Sequence, residues 1–91
     1  MKCIVIDDEP LAASLIENFV KRTPGLELTG AYTDPAEGFN AIKEQLPDIV
    51  FLDIQMPDIN GVELARMLPQ QVCVIFTTAF KDYAFESYEV A

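Results

Sequence analysis

The stretch Ile49-Val50-Phe51-Leu52-Asp53 is an apolar run closed by a carboxylate, and Cys3-Ile4-Val5-Ile6 near the start is closed in the same way by Asp7-Asp8-Glu9. An apolar run without alternation, bounded by polar residues, is the pattern of a strand buried on both faces, as in parallel sheets. If the two runs are neighbouring parallel strands, Asp7, Asp8 and Asp53 converge in one crevice beyond the carboxyl ends of the sheet. Open α/β folds place their chemistry there.

Working outward, the chain reads as strand and helix in alternation. Residues 2–6 form the first strand. Pro10 suits the first turn of a helix, and Leu11, Leu15, Ile16, Phe19 and Val20 recur at helical spacing as far as Lys21-Arg22. Thr23-Pro24-Gly25 stops that helix. Leu26-Glu27-Leu28-Thr29-Gly30 alternates apolar and polar residues, which marks a half-exposed edge strand. Asp34 and Glu37 fit a capping box with Pro35 at the first helical position, and Phe39, Ile42 and Leu46 supply the buried stripe before Pro47. Residues 49–52 are the third strand. Asn60 and Glu63 fit a second capping box, opening a shorter helix with Val62, Ala65 and Leu68 inward until Pro69. Val72 to Thr77 is the fourth strand, and Tyr83, Ala84, Tyr88 and Val90 hint at a last helical turn or two.

This order predicts an α/β fold, a doubly wound parallel sheet with right-handed crossovers and strand order 2-1-3-4. The fourth strand, Val72-Cys73-Val74-Ile75-Phe76, has the pattern of a central strand and not of an edge. A fifth strand is therefore expected beyond it, in a longer parent or supplied by another chain, for instance in a homodimer through that edge.

At 91 residues the chain holds one small domain, and 51% hydrophobic with 23% charged residues is a globular composition. Fifteen acidic against six basic residues give a net charge of -9, which repels a phosphate backbone and argues against direct nucleic-acid binding. No apolar stretch reaches membrane-spanning length and no secretory signal opens the chain, so a cytoplasmic location is expected. Without histidine, and with Cys3 and Cys73 apart in apolar runs, zinc and Cys/His catalysis are excluded. The cysteines are expected to be small buried hydrophobes on strands one strand apart, roughly 9 to 10 Å, beyond disulfide reach.

Carboxylates about 4 Å apart repel by roughly 4 kcal/mol at an effective dielectric near 20, so Asp7, Asp8 and Asp53 need compensation. A shared proton or a hard divalent cation supplies it, and Mg²⁺ suits two carboxylates, a backbone carbonyl and waters. A carboxylate can also act as a nucleophile and form an acyl phosphate. Thr77 and Thr78 end the adjacent strand. One of them is expected to offer a hydroxyl to a phosphoryl group, and spacing does not choose between them. Glu9 reads as a solvated residue before a helix, and Asp58, Asn60 and Gly61 as turn formers. Tyr83, Phe85 and Tyr88 fit packing better than a switch surface.

Val5-Ile6-Asp7-Asp8-Glu9-Pro10, Leu52-Asp53-Ile54-Gln55-Met56-Pro57, Asn60-Gly61 and Phe76-Thr77-Thr78-Ala79-Phe80 together closely resemble the receiver domain of two-component response regulators. The wording from Thr77 to Tyr83 is most similar to the LytTR type, in which a receiver precedes a DNA-binding domain. The resemblance spans residues 1–91. It implies a flavodoxin-like fold that ends before the last strand and helix, making 1–91 a C-terminally truncated receiver. It also implies that Asp53 takes phosphate from a sensor histidine kinase, that Asp8, Asp53 and the Gln55 carbonyl bind Mg²⁺, that Asp7 reaches the ion through water, and that Thr78 is the switch hydroxyl. The lysine that receivers carry after the fifth strand has no counterpart, since Lys81 lies too early.

Two other classes compete. A Mg²⁺-dependent phosphatase with an aspartyl-phosphate intermediate usually has an acid two residues after its nucleophile, where this chain has Gln55. A non-phosphorylated module recruiting a partner by strand addition would use the bare fourth strand. A signalling domain that does not turn over a separate substrate is the leading expectation.

Overall fold

The computed structural model describes residues 1–56 and 59–77. Alternate residues of β1 (Lys2–Ile6) serve two cores: Ile4 and Ile6 enter one cluster, Cys3 the other. The same division holds in β3 (Ile49–Asp53), with Val50 and Leu52 on one side and Ile49 on the other. That two-sided burial is why neither strand alternates in sequence.

The remaining elements are α1 (Pro10–Arg22), β2 (Glu27–Tyr32), α2 (Pro35–Gln45), α3 (Gly61–Arg66) and β4 (Cys73–Thr77). The four strands are parallel and ordered β2-β1-β3-β4, as predicted. From β1 the chain runs to β2, then reverses across β1 to β3. Right-handed crossovers then require α1 and α2 on opposite faces. Accordingly Val20 and Ile16 of α1 pack with Cys3 and Ile49, while Ile42 of α2 and Leu64 of α3 pack with Ile4, Ile6, Val50 and Leu52.

β2 runs two residues further than its alternating segment suggests, through Tyr32. It carries a bulge against β1, where Cys3 pairs with Leu28 but Ile4 with Gly30. The extra residue, Thr29, turns its hydroxyl to donate to the Cys3 carbonyl at 3.1 Å, so the interrupted ladder keeps a hydrogen bond. At the opposite end of the sheet Asp48 ties three strands. Its carboxylate accepts the Lys2 N–H at 2.8 Å, its N–H donates to Lys2 O, and its carbonyl accepts the Cys73 N–H, both at 2.9 Å.

Each predicted capping box forms by its cap residue alone: Asp34 accepts the Ala36 N–H at 3.1 Å and Asn60 the Val62 N–H at 2.7 Å, while among the described residues neither Glu37 nor Glu63 returns a bond to the cap N–H. Gly25 takes φ +91° in the turn that follows α1.

Several burial expectations are corrected. Of the positions expected inward around α3, Leu68 is buried and Ala65 packs half-buried against the core as expected, Val62 is half-buried, and the deepest residue is Leu64, which the spacing did not single out. Leu46 is exposed rather than in the α2 stripe: it is the left-handed C-cap at φ 47°, so its side chain turns off the helical face. Of the α1 apolar positions, Val20 is buried and Ile16 half-buried, but Leu11, Leu15 and Phe19 are 82%, 57% and 58% exposed. Those three follow one another at i, i+4 and i+8, a flank of the helix turned away from the sheet. Cys3 is buried as expected and Cys73 is exposed, because β4 borders the described sheet and α1 lies over β1 and β2.

Candidate functional site

The site lies where the strand order reverses, between the carboxyl ends of β1 and β3. Ile6 pairs with Leu52, so Asp7, just past β1, and Asp53, the last residue of β3, stand side by side. Pairing with β2 continues one step further, as the Asp7 N–H donates to Tyr32 O at 3.1 Å. Asp7 Oδ1 then accepts the Glu9 N–H at 2.9 Å, which fixes the turn into α1 and aims Asp8 at the crevice. Glu9 is exposed and makes no side-chain cap bond, as its solvated reading requires. Asp53 Oδ1 accepts the Gln55 N–H at 3.3 Å.

One carboxylate oxygen from each of Asp7, Asp8 and Asp53 lies within 4.8 Å of the others. Asp7 and Asp53 are buried, at 5% and 8% exposure. Burial first, and then the charge of Asp7, push Asp53 up to about 7 from an ordinary 3.8. Asp7 is also raised, chiefly by burial, with the Glu9 N–H opposing and the Asp8 charge adding to it. Asp8 Oδ1 is buried without a hydrogen-bond partner. A buried carboxylate oxygen left unpaired costs at least about 1–3 kcal/mol. Three converging carboxylates, one of which carries such an orphan oxygen, fit a small hard cation, and Mg²⁺ is bound through one or two carboxylates plus other oxygens.

Gln55 is exposed, and in an isolated antiparallel bridge it pairs with Asn60, which closes the loop after Asp53. Thr77 lies directly across from Asp53 in the β3–β4 register. Thr78, Pro57, Asp58, Lys81, Tyr83, Phe85 and Tyr88 lie outside the described residues, so the expectations placed on them are not addressed by these contacts. The sequence reading brought together Asp7, Asp8 and Asp53 correctly. It treated Asn60-Gly61 as a turn and missed that Gly61 abuts the backbone of Asp53 and Ile54, with the Gly61 N–H donating to Ile54 O at 2.7 Å. That hydrogen bond joins residues seven apart, and only the spacing of Asn60-Gly61 after Asp53 hinted at it.

A family model described as the response regulator receiver domain matches residues 3–90. The chain belongs to that family. This receiver is 37% identical over 91 residues to the transcriptional regulatory protein BtsR of Escherichia coli K12, a match covering 98% of this chain and 38% of that protein. It is 36% identical over 91 residues to an uncharacterized response regulatory protein of Vibrio cholerae, with the same coverage of 98% and 38%. The receiver thus spans 38% of the length of these curated relatives.

Among solved structures, the response regulatory domain of mrkE from Klebsiella pneumoniae is 29% identical, with TM-score 0.81 over 99% of this chain and 76% of that one. The isolated REC domain of RcsB from Salmonella enterica, solved with the phosphomimetic BeF3⁻, superposes with TM-score 0.83 over 99% and 70% at 21% identity, a likeness of fold. The fold is thus the flavodoxin-like one of receivers, four strands of which are described here. Receivers are regulatory domains of two-component systems that respond to sensor histidine kinases and bind Mg²⁺ through acidic residues, and this chain presents such a cluster. No helix among the described residues is long and apolar enough to cross a membrane.

Proposed function

We propose that Asp53 is the phosphoacceptor of this receiver and that Asp8, Asp53 and the Gln55 carbonyl hold Mg²⁺, with Asp7 reaching the ion through water. The observation that carries this reading is the convergence of the three carboxylates within 4.8 Å, one of them with an unpartnered buried oxygen. An Asp53 oxygen attacks the phosphorus of a phosphohistidine on the kinase. The P–O bond forms, the P–N bond breaks, and the imidazole nitrogen leaves with the electron pair and takes up a proton. An Mg²⁺ ion held by Asp8, Asp53 and the Gln55 carbonyl would offset the negative charge on the phosphoryl oxygens. The hydroxyl of Thr78, next after the Thr77 that stands opposite Asp53, meets the phosphoryl group and links its presence to a change of conformation.

The output is transcription, controlled by a DNA-binding domain of the LytTR type in a longer cytoplasmic protein. The lengths and names of the relatives support this, since the receiver spans 38% of BtsR, a transcriptional regulatory protein. Binding of DNA by the receiver itself is disfavoured by its net charge of -9. A homodimer through β4 is supported by its apolar, uncharged sequence and by Ile75, which is 42% exposed. The domain turns over no substrate beyond its own phosphate.

Incubation with a small acyl phosphate and Mg²⁺ tests the assignment. The wild-type chain is expected to gain the mass of one phosphoryl group and Asp53→Asn none. A gain that persists in Asp53→Asn excludes Asp53 as the nucleophile.

A further inference from the structure

Gly61 opens α3 with a backbone that any residue can adopt, since the positive-φ positions among the described residues are Gly25 and Leu46. Conformation does not demand glycine there; space does. A Cβ at Gly61 would stand 2.2 Å from the carbonyl oxygen of Asp53, 2.7 Å from Ile54 Cα and 3.0 Å from the Asp53 carbonyl carbon. All three are backbone atoms of the segment that leaves the site, and none can swing aside as the end of a side chain does. Ordinary contact begins at 3.4 Å, so a methyl group forces that segment and α3 apart by about 1 Å.

The contact is held from both sides. The Gly61 N–H donates to Ile54 O at 2.7 Å, and Asn60 pairs with Gln55 while its side chain caps α3 through the Val62 N–H at 2.7 Å. The backbone from Asp53 to Gln55 is therefore clamped against the start of α3. That segment supplies the Asp53 carboxylate and the Gln55 carbonyl.

We propose that Gly61 is a positioning residue: its missing side chain, with the Asn60 cap, sets the direction in which Asp53 and the Gln55 carbonyl meet the cation. The inference rests on the reading of Asp7, Asp8 and Asp53 as a cation site. Substitutions around a metal that disturb only the support of its ligands typically weaken binding by about 10–100-fold. A shift of this size at a reacting group is costly in the same way.

Mg²⁺ titration of the wild-type chain, Gly61→Ala and Ile42→Ala, each with its metal-free melting temperature, tests the proposal. Ile42 is fully buried on α2, so its truncation lowers stability without touching the Asp53 backbone. Gly61→Ala is expected to bind Mg²⁺ at least ~10-fold more weakly, while Ile42→Ala, though destabilised, binds as the wild type does. Asn60→Ala is expected to weaken binding, and Asn60→Ser, which keeps a capping oxygen, to restore most of it. A folded Gly61→Ala with wild-type affinity overturns the proposal. Should Gly61→Ala not fold, equal affinities of Asn60→Ala and Asn60→Ser overturn it. If the wild-type chain binds no Mg²⁺, the reading of the site fails instead. The clamp is then judged in metal-free Gly61→Ala or Asn60→Ala by the amide chemical shifts of Asp53 to Gln55, where unchanged shifts overturn it.

Discussion

Asp53, buried and facing Asp7, is pushed up to about 7 and so binds a proton in the folded chain that the unfolded chain releases near 3.8. A folded value raised above the unfolded one contributes stability that is fully present below about 4 and is lost as pH rises through about 7. Metal-free protein is therefore expected to melt at lower temperature at pH 8 than at pH 5. Asp7, raised in the same direction, adds to that trend. Asp53→Asn removes the buried charge and should raise the metal-free melting temperature at pH 8 by about 4 °C or more, as a gain of ~1 kcal/mol does in a domain of this size. Thermal scans at the two pH values check it; a pH-independent melting temperature in the wild type contradicts it. These residues were legible in the sequence because each closes an apolar run, and strand ends translate directly into places on a sheet. Gly61 was not, because what excludes its side chain is the Asp53 carbonyl, which approaches only after folding.

Among the elements, α2 carries the clearest local conflict. Its C-cap, Leu46, is left-handed at φ 47°, a conformation that costs a residue with a Cβ roughly 1 kcal/mol relative to glycine. Leu46 is exposed, so little packing is lost on its removal. Leu46→Gly is expected to raise stability by about 0.5–1 kcal/mol in urea unfolding, and a loss of more than that would show that the side chain packs. The helical spacing that placed α1 correctly did not tell which flank meets the sheet. Leu11, Leu15 and Phe19 share a helix with Val20, but the sheet takes up only the Val20 side. Phe19→Ser should cost less than about 1 kcal/mol, whereas Ile42→Ala in the opposite core should cost about 2–5 kcal/mol. Denaturant midpoints of the two variants compare them, and equal losses would place Phe19 in a packed core. Strand order and parallel pairing were legible because unbroken apolar runs admit few other arrangements; the bulge at Thr29 was not, since one extra residue leaves alternation almost unchanged.

For the whole molecule the acidic crevice makes folding and cation binding one equilibrium. An ion that binds the folded state alone stabilises it by about 2.7 kcal/mol at a hundred times its dissociation constant. Asp8, whose buried oxygen lacks a partner, links that gain to a single side chain. The most direct measurement is the melting temperature of the wild-type chain and of Asp8→Asn as Mg²⁺ is raised at pH 8 and constant ionic strength. A saturable rise in the wild type that Asp8→Asn largely abolishes is the predicted result. No rise in the wild type, or an equal rise in both, would contradict a cation site formed by carboxylates from β1 and β3.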